Sequence, residues 1–464
     1  MQNRFYNLDA LRGYAIFMMI LSGSIAYGPS MPAWMFHAQV PPPSHKFNPN
    51  LPGITWVDLV FPFFIFCMGA AIPIAMHKFV ISNSYKNAVI TAFRRFGLLV
   101  FFALFLEHFK SPHIKAEPNN ATYFLTLAGY LLLFLAFSKF TSLVNKKIET
   151  MINLSAMVIG VACLMWLPLN NGMGFQIGKS DIIIIVLANM ALFGTIIWWI
   201  TRNNLLLRIG ILPFIMAIFL GSKIPESWNA LLYNLTPESA VYKFYFLKYL
   251  FILIPGTIAG DWLLKFKDVK AEDFRNNSWF KLFTAILLSI ILCNVIFLFS
   301  RQLVLNLTIT IGLLILAKYL FDKIILINKK IVEQFFYAGA FSLLLGLSFE
   351  AFEGGIKKDF STYSYYFVTV GLAFFSLIVL AVLQTLSLGK NAHRFFVLTG
   401  QNPMMAYVSG SLLLMPIMHL TGINTYWDDM NSNALLGFLK GFSFTMIVCL
   451  ITIPFTKKGM TWKS

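Results

Sequence analysis

Long apolar runs, separated by short polar breaks, recur from one end of this chain to the other. A helix crossing a bilayer core needs about 20 apolar residues, with a range of about 17–25. Runs of that kind lie at 9–28, 56–78, 91–108, 120–139, 152–168, 181–200, 205–221, 246–265, 280–299, 303–321, 334–352, 364–386, 397–418 and 434–455. The pattern predicts an all-α, polytopic transmembrane helical bundle of about 14 spans, within a range of 12–14. The runs 205–221 and 303–321 are the two that would merge or re-enter. No polar stretch is long enough for a soluble domain, so residues 1–464 read as a single transmembrane domain. Internal repeats and low-complexity segments are not visible.

Composition sharpens this picture. Of 464 residues, 58% are hydrophobic and 12% charged, against about 25% charged in a soluble domain. Such a chain cannot cover its own surface with polar groups, and lipid must do so. The formal net charge of +17 would suggest nucleic acid in a soluble protein. Here the accumulation of Lys and Arg in cytoplasmic loops accounts for it, and a nucleic-acid partner is not expected. Cys67, Cys163, Cys293 and Cys449 sit singly inside apolar runs, as packing residues without metal-ligand spacing. No cleavage site follows the first run, so that helix is expected to be retained.

Basic residues set the orientation. With the N-terminus inside, 25 of the 36 Lys and Arg fall on the inner side, and the bias recurs loop after loop. Both termini are therefore expected in the cytoplasm. The outer loops are then 29–55, with His37 and His45; 222–245, with Trp228; 353–363, which opens on Glu353; and 419–433, with Trp427. Aromatic and carboxylate groups together suit a sugar, and Trp228, Glu353 and Trp427 are candidate substrate contacts. An interfacial aromatic belt explains the tryptophans equally well.

Ionisable groups inside spans cost about 2.5–3.5 kcal/mol each at a helix centre, so each calls for a reason. Asp9 and Arg12 stand three residues apart and can pair on one helix face. Glu107, His108, Asp261, Glu350, Glu353 and His419 lie toward span ends, where snorkelling can serve about half of them. Asp58 opens the second span directly after the histidine-bearing loop. It reads either as a carboxylate favoured by the helix dipole or as the partner of a loop histidine. No phosphate-cradling glycine loop, paired metal-ligand histidines or serine nucleophile elbow is present.

Two stretches carry a resemblance. One is Leu8-Asp9-Ala10-Leu11-Arg12-Gly13 followed, after the outer loop, by Gly53-Ile54-Thr55-Trp56-Val57-Asp58-Leu59-Val60-Phe61-Pro62. The other is Gly400-Gln401-Asn402-Pro403-Met404-Met405-Ala406-Tyr407. Together they resemble the transmembrane acyltransferases related to heparan-α-glucosaminide N-acetyltransferase. The likeness is greatest to their short bacterial forms, which are also labelled predicted N-acetylglucosamine-related transporters and grouped as DUF5009. The resemblance touches both ends and the late middle of the chain, and much less of 109–330.

The resemblance implies acetyl transfer from cytosolic acetyl-CoA to an amino sugar, glucosamine or a glucosamine-containing saccharide, at the outer face of a bacterial cytoplasmic membrane. It implies a loop histidine as the catalytic group, with Asp58 matching the family's aspartate and Asn402 its asparagine. In the family that histidine is followed by Ala and lies close before the glycine. His37 is followed by Ala38 but is farther from Gly53; His45 is nearer but lacks the Ala. Both remain candidates, with His37 preferred. A histidine with its ordinary pKa of about 6.5 can take the proton that keeps a sugar ammonium from attacking, or it can carry the acetyl group itself. A neighbouring carboxylate would orient the ring, and the Asn402 amide would serve the oxyanion or the CoA arm. Arg94 and Arg95 are the candidate contacts for the anionic CoA. No metal is called for. Membrane lipid is the expected surroundings, and a homodimer is compatible. The rival reading is a transporter of N-acetylglucosamine or a related sugar. A third is an O-acyltransferase, differing in its hydroxyl acceptor.

Overall fold

The computed structural model describes residues 5–27, 31–140, 143–266, 278–324 and 329–462. Five of the inner-side basic residues, Arg4, Lys267, Lys270, Arg275 and Lys463, lie outside the described residues. Among the described residues the regular structure is helical, apart from one isolated bridge between Ser138 and Trp462. The long helices are α1 (Tyr6–Ser24), α2 (Trp56–Ile81), α3 (Tyr85–Phe109), α4 (Asn120–Phe137), α5 (Lys146–Trp166), α6 (Ile182–Thr201) and α7 (Leu205–Gly221). They continue with α8 (Phe244–Lys265), α9 (Ser278–Phe299), α10 (Leu303–Asp322), α11 (Lys329–Ser348), α12 (Tyr363–Leu383), α13 (Ser387–Gly400), α14 (Pro403–Thr421) and α15 (Ala434–Lys457).

Twelve of these helices are long and apolar enough to span a membrane. The protein is a multi-pass, all-helical membrane protein, and twelve falls within the expected range. The two remaining predicted runs are α1, which carries Asp9 and Arg12, and α7, with 17 residues. The run at 303–321 forms a full helix, α10.

Local chemistry moves several boundaries. Asn119, Asn145, Asp181 and Asn204 each cap the helix that follows by accepting a backbone N–H. The Asn145 cap starts α5 at Lys146, before the apolar run itself begins. The run predicted at 397–418 is two helices. A residue before proline is pushed out of the helical region, and proline suits a first helical turn. The chain accordingly breaks at Gln401-Asn402 and restarts at Pro403. Within α14 the backbone loosens into a π-helical stretch over Ser409–Leu414.

The chain divides into two compact units. The first comprises residues 1–75, 251–400 and 431–442. Its helices meet at small residues, as membrane helices do when backbones approach closely. A Cβ on Gly13 would sit 1.8 Å from the Phe396 carbonyl oxygen, and one on Gly400 1.9 Å from that of Asp9. These contacts lock α1 against α13, and Arg12 adds bonds to Asp9 (3.3 Å) and the Gly400 carbonyl (3.4 Å). The same device joins α2 to α8, where Gly69 faces the Leu253 carbonyl and Gly256 that of Phe66. Between α9 and α10 the join is polar: Asn306 donates to Asn294, which donates to Thr310, all buried.

The second unit comprises residues 76–250, 401–430 and 443–464. Here Tyr130 of α4 meets Ser409 of α14 at 3.1 Å. Near the C-terminus, Trp462 packs against Phe102, Phe134 and Phe137.

Candidate functional site

The site is built in the first unit, where the loop before α2 closes over the start of that helix. Gly53 has φ +129°, a conformation that side-chain-bearing residues rarely adopt, and its N–H donates to the Ile356 carbonyl at 2.7 Å. Two residues later Thr55 ends the loop. Its hydroxyl accepts from Val57 N–H (3.2 Å), and the Asp58 carboxylate accepts from Thr55 N–H (2.9 Å). This is close to a capping box, with Asp in place of the usual Glu and the Thr55 hydroxyl taking the second N–H of the helix instead of the third,. Gly53, Thr55 and Asp58 thus each have a local reason: a turn, a cap and a carboxylate at the helix start.

The carboxylate does more than cap. Asp58 Oδ1 lies 2.7 Å from His37 Nδ1, and Oδ2 also accepts from Ala38 N–H at 3.2 Å. The Tyr365 hydroxyl, from α12, donates to the Asp58 backbone carbonyl at 2.7 Å. Asp58 is almost fully enclosed, whereas the His37 side chain keeps 34% of its exposure. An ionised carboxylate can only accept, so Nδ1 carries the hydrogen and Nε2 holds the free lone pair. The ring is thereby fixed in one orientation and one tautomer.

A second loop completes the surroundings. Lys358 Nζ stands 3.4 Å from His37 Nε2. Gln39 holds this loop from both sides of Asp359: its Oε1 accepts from Asp359 N–H at 2.8 Å, and its Nε2 donates to the Asp359 carbonyl. Beneath, Arg301 pairs with the buried Glu350, whose carboxylate also accepts from Ile356 N–H at 3.2 Å. Gly355, with φ +93°, fits where any Cβ would meet Pro52 at 2.8 Å and Arg301 at 3.0 Å.

The structure therefore brings together His37 and Asp58. His45 is apart from this pair: its ring packs edge-on against Phe36 and Tyr27, at 4.6 and 5.1 Å between centroids. Both of its ring nitrogens are buried without a hydrogen-bond partner among the described residues. Glu353 lies in the second loop of the same unit and accepts from Tyr363 N–H at 3.1 Å. The other residues singled out belong to the second unit. Arg94 is exposed and Arg95 half-buried on α3. Trp228 is exposed at the start of a short helix, and Trp427 packs against Phe444. Asn402 is fully buried and its amide is committed to the C-terminal segment: Nδ2 donates to the Met460 carbonyl and Oδ1 accepts from Trp462 N–H, both at 3.1 Å.

Among the other ionisable groups, His108 is satisfied at both nitrogens, by the Leu104 carbonyl and Gln176 N–H. His419 stacks on Tyr123. Glu107 pairs with Lys110 at 2.6 Å. Sequence reasoning missed Lys358 as a neighbour of the histidine, Gln39 as the residue that holds the Lys358 loop, and Tyr365 as the partner of the Asp58 carbonyl. The only signal for Lys358 was the basic pair Lys357-Lys358 in an outer loop.

Fold and site together define a multi-pass membrane protein with a histidine–carboxylate pair held where a loop meets a helix start. The chain belongs to a family described as a domain of unknown function, DUF5009, whose model matches residues 4–263. No curated protein matches it.

Proposed function

We propose that the chain is a membrane-embedded acetyltransferase, related to the heparan-α-glucosaminide N-acetyltransferase group. It moves acetyl from cytosolic acetyl-CoA to an amino sugar at the outer face of a cytoplasmic membrane. The observation that carries this reading is the His37–Asp58 contact, 2.7 Å from Nδ1 to Oδ1, with Nε2 left as the basic atom. A sugar ammonium is inert until it loses a proton. His37 Nε2 is the base that takes it, and Asp58 stabilises the imidazolium that results. The amine then attacks the thioester carbonyl, the new amide nitrogen releases its extra proton to water as the C–S bond breaks, and the imidazolium returns its proton to the departing thiolate. Arg94 and Arg95 are the proposed inner-face contacts for the anionic donor.

The test uses purified protein in liposomes, radiolabelled acetyl-CoA and glucosamine, comparing wild type with His37→Ala and His45→Ala. Label on the sugar that is lost in His37→Ala and kept in His45→Ala supports the reading. No label on any amino sugar, with uptake of N-acetylglucosamine in the absence of acetyl-CoA, would overturn it in favour of a transporter.

A further inference from the structure

Lys358 reaches His37 from a loop 321 residues away in sequence. Its Nζ is a primary ammonium, and it faces the one ring atom that has a free lone pair. The 3.4 Å separation is at the long end of hydrogen bonding,. An amino-sugar acceptor would present the same group, a primary ammonium, to the same atom. Lys358 thus presents to His37 the same reactive group that the proposed acceptor would.

The loop holds it there. Lys357 N–H donates to Thr362 Oγ1 at 3.1 Å on one side, and Gln39 grips Asp359 on the other. The Lys358 side chain is 22% exposed and its only carboxylate contact among the described residues is Asp359, at 3.5 Å. It is neither buried in an ion pair nor free in solvent. Lys357, the preceding residue in the chain, makes no hydrogen bond to His37 among the described residues, and so provides an internal control.

We propose that Lys358 is a modification site at which the protein acetylates itself from the same acyl donor. This rests on the acetyltransferase reading above. His37 Nε2 takes a proton from the Lys358 ammonium, and the freed amine attacks the thioester carbonyl of acetyl-CoA. The C–N bond forms and the C–S bond breaks. The nitrogen sheds a second proton to water, and the thiolate leaves and takes the first one back from His37, giving an amide, free CoA thiol and one released proton with no oxidant or reductant. The product has lost the lysine's positive charge.

The experiment incubates the full-length protein in detergent with trideuteroacetyl-CoA and no sugar, then quantifies label on each lysine by peptide mass spectrometry. General-base assistance contributes about 10²–10⁴-fold. Label on Lys358 is therefore expected roughly a hundredfold above that on Lys357. It should fall by a similar factor in His37→Gln and Asp58→Asn proteins that keep the wild-type unfolding midpoint. It should be absent in Lys358→Arg and suppressed by excess glucosamine. Acetylated glucosamine with Lys358 unlabelled, or labelled no more than Lys357, overturns this inference alone. Label on neither sugar nor Lys358 overturns the acetyltransferase reading with it.

Discussion

Replacing Asp58 by Asn changes one atom and tests the reasoning about His37 directly. The carboxylate receives three N–H donors: His37 Nδ1 on Oδ1, and the backbone amides of Ala38 and Thr55 on Oδ2. An asparagine must put its NH2 at one of these two positions. At the Oδ2 position it would face two backbone donors, leaving both unmade, at about 1–3 kcal/mol each. At the Oδ1 position it keeps both backbone bonds and donates to His37 Nδ1. The second arrangement wins. Its cost is the loss of charge assistance, the difference between about 1.5–3 and about 0.5–1.5 kcal/mol per bond, or roughly 1–3 kcal/mol for the two. The ring must then shift its hydrogen to Nε2, which leaves no lone pair for the acceptor's proton. Asp58→Asn is therefore expected to fold with a modest loss of stability and to lose about 10²–10⁴-fold in acetyl transfer. The assays are tryptophan-fluorescence unfolding and transfer of labelled acetyl to glucosamine at saturating substrates. Activity within a few-fold of wild type in a protein whose His37→Gln variant is dead would refute the tautomer argument.

Three further predictions come from elsewhere in the first unit. Gly13→Leu drives a side chain into the Phe396 carbonyl, where even a Cβ would stand at 1.8 Å; a loss of at least about 1–3 kcal/mol is expected in thermal unfolding, while Gly23→Leu, with open space around its Cβ, serves as the mild control. Arg301→Met leaves the buried Glu350 carboxylate without its cation, which typically costs about 3–5 kcal/mol, and limited proteolysis should then cut the 351–362 loop faster. His393 is buried at 2.9 Å from Asn7 Oδ1, and burial holds its pKa below the ordinary value. The unfolded chain takes up a proton there before the folded one does, so this contribution to stability is complete above pH of about 6.5 and is lost as pH falls from there toward the folded value. Unfolding midpoints between pH 7.5 and 5.5 should fall less steeply in His393→Asn than in wild type.

The helices were legible because each apolar run is long and each break is polar. What periodicity could not see was the small set of residues that decide ends. Asn145 starts α5 ahead of its apolar run, and the Asn402-Pro403 pair divides one predicted span into two helices. The site was legible in half. Thr55 and Asp58 lie three apart, and a capping box is a local pattern. The choice between His37 and His45 was not local: it depends on how the 31–54 loop folds back, which buries His45 between two aromatic rings and turns His37 to the carboxylate. Lys358 was beyond reach, because nothing near it in sequence signals a contact with residue 37. Asn402 drew attention through its motif, and the fold shows its amide bound to the chain's own C-terminal segment.

The discontinuous make-up of the first unit has a consequence for biogenesis. Its N-terminal segment, with His37 and Asp58, leaves the ribosome long before its partners exist. At about 5–20 residues per second, the 321 residues between His37 and Lys358 take roughly 16–64 s to synthesise. The glycines of α2 face lipid or the insertion machinery until α8 is made, and those of α1 until α13 follows. The nascent first two helices must wait, with a carboxylate at their margin, while residues 76–250 are synthesised. Ribosome-stalled chains ending before and after residue 400 should therefore differ sharply in protease resistance of the N-terminal loop. The second unit must likewise wait for the last twenty residues before Asn402 and Trp462 can close it.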